Sequence, residues 1–140
     1  MSEPSIQDLR DLAEMRLKDA EILLNYSRFS AAYYLAGYSV ECGIKAIIAH
    51  SFRSGVIPRK EFVNKVYTHQ LAELINLAGL ASQLKASMDA SDAFRNNWAI
   101  ASSWNESMRY ETVDPFKARD IVDAVRQQGV GVLPWLKQHW

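Results

Sequence analysis

The sequence lacks the means for several kinds of chemistry. Among its 140 residues there is a single cysteine, Cys42. That excludes an intrachain disulfide and a zinc site built on cysteines. No run of apolar residues approaches the ~20 needed to span a membrane. The amino terminus, MSEPSIQDLRD, has no apolar signal-peptide core, so the cytoplasm is the expected compartment. Net charge is also missing: 16 Lys and Arg balance 16 Asp and Glu. No global basic field announces nucleic acid, and any such binding needs a local patch. There is no Gly-rich phosphate loop, no His-x-x-x-His, no serine elbow and no EF-hand pattern. Neither a metal nor a cofactor is expected. Strand-type alternation, internal repeats, low-complexity segments and linkers are absent too.

What is present is apolar content, at 49% of residues, which makes disorder implausible and suits one domain over residues 1–140. The apolar residues recur at helical spacing. Ser5 and Asp8 form an N-terminal capping signal, and Ile6, Leu9, Ala13, Leu17, Ala20 and Leu24 keep one face of a first helix to about Tyr26. The link Ser27–Ser30 is short, which predicts an antiparallel helical hairpin with Ser30 as the next cap. The second helix, Phe29 to about Arg53, is the longest uninterrupted pattern. Its stripe of Ala32, Ala36, Val40, Ile44 and Ile47 marks it as the spine of a bundle.

A loop with one helical turn starting at Pro58 is expected next. A helix from His69 to about Ala78, capped by Thr68, ends at Gly79. A further helix from Leu80 to Ser102 is expected to break or kink near Asp89–Ser91, where residues that compete with the helix cluster. A polar connector leads to Asp114-Pro115, a cap followed by proline at the first helical position. Gly129 and Gly131 predict a break before a short last helix carrying Trp135. The expected fold is all-α, an up-and-down bundle of four to five main helices.

Several of these segments together resemble a known family. They are AEMRLKDAEILL, the turn YSRFSAA, the helix AAYYLAGYSVECGIKAIIA with Glu41, Lys45 and Ala46, then Thr68-His69-x-Leu71, and a Trp-rich stretch closing on Arg109-Tyr110. The pattern is similar to HEPN domains (higher eukaryotes and prokaryotes nucleotide-binding). The resemblance implies a helical bundle that pairs as a homodimer. It also implies work beside a small nucleotidyltransferase or in toxin–antitoxin and defence systems, and, in many members, metal-independent ribonuclease activity. That activity uses an Arg followed after four to six residues by His. No arginine stands at that spacing before His50, His69 or His139. After Arg95-Asn96 the corresponding positions are Ile100, Ala101 and Ser102.

The candidate site residues follow. Glu41 and Lys45 form an i,i+4 pair, either on the surface or facing a ligand or partner in company with Tyr34 and Tyr38. His69 reads as a helix-start residue or as an acid, base or phosphate contact. Arg95 and Arg109, interleaved with Trp98, Trp104 and Tyr110, suit either a plug at the bundle end or a stacking platform for RNA or a nucleotide. In the first reading Arg109 pairs with a carboxylate such as Glu106. Arg53, Arg59, Lys60 and Lys65 give a basic loop that is either solvated or a phosphate contact. The favoured reading is a non-catalytic module that binds a nucleotide, an RNA or a nucleotidyltransferase-like partner. The alternatives are a ribonuclease with a rearranged site of His69 with Arg95 or Arg109, and a purely structural or regulatory protein that dimerises through the second helix.

Overall fold

Ser5 opens the first helix in a reciprocal cap. Its hydroxyl accepts from the Asp8 amide at 3.1 Å, and the Asp8 carboxylate accepts from the Ser5 amide at 2.9 Å. The Ser5 amide, and after it the Ser5 hydroxyl, holds the Asp8 carboxyl below the usual carboxylate range. The structure, a computed structural model, describes residues 3–52 and 54–140. Helix α1 runs Ile6–Asn25 and buries Ala13, Leu17 and Ala20. The chain reverses through Ser27, whose φ of 60° is left-handed, and enters α2, Phe29–Ala49. Ser30 does not cap α2. The helix starts one residue earlier, and the Ser30 hydroxyl accepts from the Val113 amide at 2.9 Å instead, tying a distant connector to the helix start.

The remaining helices are α3 (Lys60–Val66), α4 (Leu71–Leu77), α5 (Ala81–Ala90), α6 (Asp92–Ser102), α7 (Pro115–Arg126) and α8 (Val132–Lys137). A short 3-10 turn, Glu106–Tyr110, lies between α6 and α7. The described residues form no strand, and no helix among them is long and apolar enough to cross a membrane. The expected break falls at Ser91, which ends α5 and caps α6 through the Phe94 amide at 3.1 Å. Asp114 caps α7 with Pro115 behind it. Gly129, at φ 86°, makes the last break. Thr68 turns the chain before α4 by accepting from the Gln70 amide, so α4 starts at Leu71 rather than at His69. The second helix ends at Ala49, short of the expected end near Arg53, a residue outside the described ones.

Helix α2 is the spine, and it is enclosed on more than one side. Its buried residues run from Ala32 through Ile48 and include Tyr33, Gly37, Ser39, Glu41 and Cys42 as well as the predicted stripe. It packs against α1, α4, α7, α8 and the 3-10 turn. A helix buried over most of its circumference needs small residues where neighbours come closest. Ser39 donates its hydroxyl to the Ala13 carbonyl at 2.6 Å, fastening α1 to α2 inside the core. At Gly43 an added Cβ would meet Leu136 of α8 at 3.2 Å and Leu133 at 3.4 Å, and Trp140 Nε1 donates to the Gly43 carbonyl at 3.2 Å. At Gly37 the indole of Trp104 lies on the bare backbone, so a Cβ there would sit 2.2 Å from three ring atoms.

Gly37→Ala therefore displaces Trp104. Overpacking of this kind costs about 1–3 kcal/mol, set against the roughly 1 kcal/mol alanine gains in a helix interior. The expected outcome is a lower urea midpoint at unchanged m value, together with altered Trp fluorescence. A higher midpoint with unchanged Trp fluorescence shows that the indole does not rest on Gly37.

Candidate functional site

Three segments meet over one face of α2. Glu41, in the middle of the helix, is 3% exposed. Its two oxygens have separate partners: Oε1 lies 2.7 Å from His69 Nδ1, and Oε2 accepts from Lys45 Nζ at 3.3 Å. His69 Nε2 faces the Glu106 carboxylate of the 3-10 turn at 3.2 Å. The imidazole thus stands between two carboxylates, one buried and one half-exposed. A neutral ring donates from one nitrogen only, so the doubly protonated ring alone donates to both. The pair Glu41–Lys45 is not the surface pair its spacing suggests, since the carboxylate is inside. Lys45 is occupied in neutralising it.

Aromatic residues of α2 and of the segment around the 3-10 turn gather on the same helix. Tyr34 and Tyr38 lie parallel, 6.4 Å apart, and Tyr34 tilts against Trp104 at 5.9 Å. Trp104 is buried and forms the floor of this group. Its indole Nε1 has no hydrogen-bond partner among the described residues. Arg109 places its guanidinium 4.8 Å over the ring of Tyr110, which is 80% exposed. Tyr110 and Tyr34 beside it raise the Arg109 pKa further. The expected Arg109–Glu106 pair is not formed: Glu106 goes to His69, and Arg109 rests on tyrosine. A cleft of about 390 Å³ opens beside His69, walled by Ser102, Ser103, Trp104, Asn105 and Glu106.

Seven of the residues singled out in the sequence therefore gather in one region beside His69: Tyr34, Tyr38, Glu41, Lys45, Trp104, Arg109 and Tyr110. Two do not join them. Arg95 sits on the exposed side of α6, 3.5 Å from both Asp89 and Asp92. Trp98 is a core residue and offers no open face for stacking. Arg59, Lys60 and Lys65 are exposed, while Arg53 of the same basic loop lies outside the described residues. Two contributors are not among the candidate residues of the sequence. Glu106 is named there only as a partner for Arg109. Gly37, which seats Trp104, carries one local signal, a glycine inside a long helical pattern. Among the described residues no three His, Cys, Asp or Glu side chains converge as metal ligands.

Cys42 adjoins this region on α2. Burial pushes its thiol up to about 11, and the Cys42 sulfur beside Tyr38, with burial, pushes that phenol up to about 12. A nucleophilic thiolate is not supplied in this environment.

The arrangement is that of an all-helical bundle with a histidine bridged to a buried glutamate and an exposed tyrosine–arginine stack beside it. The HEPN domain family model matches residues 6–128, most of the chain, and the protein belongs to the HEPN family. Neither a curated protein nor a solved structure gives a match.

The Cys42 thiol provides a test of this environment. The unfolded thiol ionises near 9 and the folded one near 11. The stabilisation this group provides is full below pH 9 and disappears as pH rises from 9 to 11. At pH 8 the folded protein should react with iodoacetamide roughly 100-fold more slowly than the urea-unfolded chain, following the two-unit difference in thiolate population. Its urea midpoint should fall between pH 9 and 11. Equal alkylation rates in the two states contradict the buried, neutral thiol.

Proposed function

We propose that this HEPN domain, taken as one domain over the whole chain, is a binding module. It accepts a nucleotide or single-stranded RNA on the face of Tyr34, Tyr38, Arg109 and Tyr110 and does not cleave it. The observation that carries this reading is the Arg109 guanidinium lying 4.8 Å over the largely exposed Tyr110 ring. An exposed aromatic face with a cation beside it offers stacking to any base and charge to its phosphate. The absence of cleavage is supported by His69. Acid–base attack on a phosphodiester needs a ring nitrogen free to reach substrate and a cation for the developing charge. Here each nitrogen faces a carboxylate, and the nearby cations, Lys45 and Arg109, are directed at Glu41 and Tyr110.

In this role Glu41, Lys45 and His69 position the 3-10 turn rather than touch ligand. A nucleotidyltransferase-like partner in a toxin–antitoxin or defence-type setting is compatible with such a module. We further infer that a homodimer pairs through α1 rather than α2. Helix α2 is enclosed, whereas Met15, Ile22 and Tyr26 lie exposed along one stripe of α1. A monomer mass by light scattering contradicts the pairing.

Fluorescence anisotropy with labelled single-stranded RNA tests the module. Tyr110→Ala should weaken binding about 5–150-fold, the range of losing one stacking contact. Specific cleavage of RNA by the wild type that disappears in His69→Ala or Arg109→Gln overturns the reading in favour of a rearranged ribonuclease. No binding to RNA and none to a nucleotide panel by calorimetry overturns it in favour of a scaffold protein.

A further inference from the structure

We propose that His69 makes the binding face responsive to pH. Its second proton holds the 3-10 turn against α2, and loss of that proton releases the turn with Arg109 and Tyr110. The effect on a ligand rests on that face being the binding site, as proposed above. His69 stands between carboxylates of two different elements. Its Nδ1 lies 2.7 Å from Glu41 Oε1 of α2, and its Nε2 lies 3.2 Å from Glu106 Oε2 of the turn. An ionised carboxylate only accepts, so each contact needs a proton on the facing nitrogen. Both protons are present only in the imidazolium, and histidine is the side chain that ordinarily changes charge between about pH 5 and 8. The ring is half-exposed and borders the open cleft, so its proton exchanges freely with water.

When one proton leaves, the two contacts are not equivalent. The Glu41 carboxylate is buried and its contact is the shorter, so withdrawing that donor leaves a buried acceptor short of a partner. The Glu106 side chain is 40% exposed, and water replaces the ring there. The remaining proton therefore stays on Nδ1, and Nε2 turns a lone pair towards the Glu106 carboxylate, which repels it. Little else holds the turn to α2. None of its residues is buried, Met108 is only half-buried against the core, and its amide bonds are internal or to Asn105. The charged groups around the ring come from two elements. Helix α2 presents Glu41 with Lys45 bound to it, and the turn presents Glu106, while Arg109 rests on Tyr110. Glu61 of α3 and Glu73 of α4 make no ion pair with the ring, and Lys60 and Lys65 of α3 are exposed.

Anisotropy with labelled single-stranded RNA at about pH 5.5 and about pH 8, at one ionic strength, tests the device across the range in which histidine changes charge. Wild-type binding should weaken about tenfold at the higher pH, the loss of a charge-assisted contact. Glu106→Gln is the decisive variant. Its side-chain amide donates to the lone pair of the neutral ring, so the link survives without the second proton and the pH dependence should be lost. His50 and His139 are unchanged in this variant, so a pH dependence that persists in it belongs to other groups and overturns the proposal. His69→Ala should bind at both pH values as weakly as the wild type does at the higher one, and serves if Glu106→Gln fails to fold by circular dichroism. A second readout needs no RNA. In NMR spectra of the free protein the Met108 and Glu111 amides should shift together with the His69 ring as pH changes, and should not follow it in Glu106→Gln. Coupled amides without RNA binding at any pH sustain the device and overturn only the binding reading. Amides that ignore the ring in the wild type overturn the device.

Discussion

A carboxylate drawn out of water on the central helix has to be paired, and the pairing of Glu41 is what positions the surface around it. Ionised and alone at 3% exposure it would cost several kcal/mol. Lys45 supplies one partner from the next turn of the same helix. His69 supplies the other from the connection before α4 and passes the link on to Glu106. One buried charge thereby fastens the chain at two places far apart in sequence. The second of these, the 3-10 turn, carries Arg109 and Tyr110. Without the fastening, that turn is a polar connector held mainly by its own local bonds and by Trp104.

The fit of Trp104 depends on a complementary constraint, the lack of a side chain. Gly37 lets the indole lie on the backbone of α2, and the indole in turn supports Tyr34. At Gly43 the demand is milder, since an added Cβ would meet Leu136 and Leu133 of α8 at 3.2 and 3.4 Å. The cost of glycine at position 37 is offset by burial of the indole against the helix. This explains how one helix can be the spine of the core and also a wall of the proposed binding face. It also leaves α2 little surface for a second copy of the chain, which moves the proposed pairing face to α1.

The fold was largely legible because its signals are local. Ser5 with Asp8, Ser91, Gly79, Asp114 with Pro115, and Gly129 each start or stop a helix through atoms a few residues away. Boundaries slipped where a residue had a distant use: Ser30 serves Val113, so it does not cap its own helix. The site was legible as a set of residue types but not as an arrangement. Glu41 and Lys45 at i,i+4 look the same whether exposed or buried, and the only hint was an acid within an apolar helix. The partner of His69 lies 37 positions on, at Glu106, and nothing local distinguishes that carboxylate from its neighbours. Trp98 and Trp104, similar in sequence context, are both buried, and only packing sets Trp104 beneath Tyr34.

Amide hydrogen exchange of the 3-10 turn in His69→Ala addresses the link between the buried charge and the binding face most directly. The variant removes the connection from Glu41 to Glu106 while leaving Glu41 its Lys45 partner. If the bridge holds the turn, exchange at Met108 and Glu111, whose amides bond to the Asn105 and Met108 carbonyls, accelerates about tenfold or more. The amides of α1 and α2 stay as protected as in the wild type. Exchange in the turn that is unchanged by the substitution contradicts the bridge as the element that positions Arg109 and Tyr110.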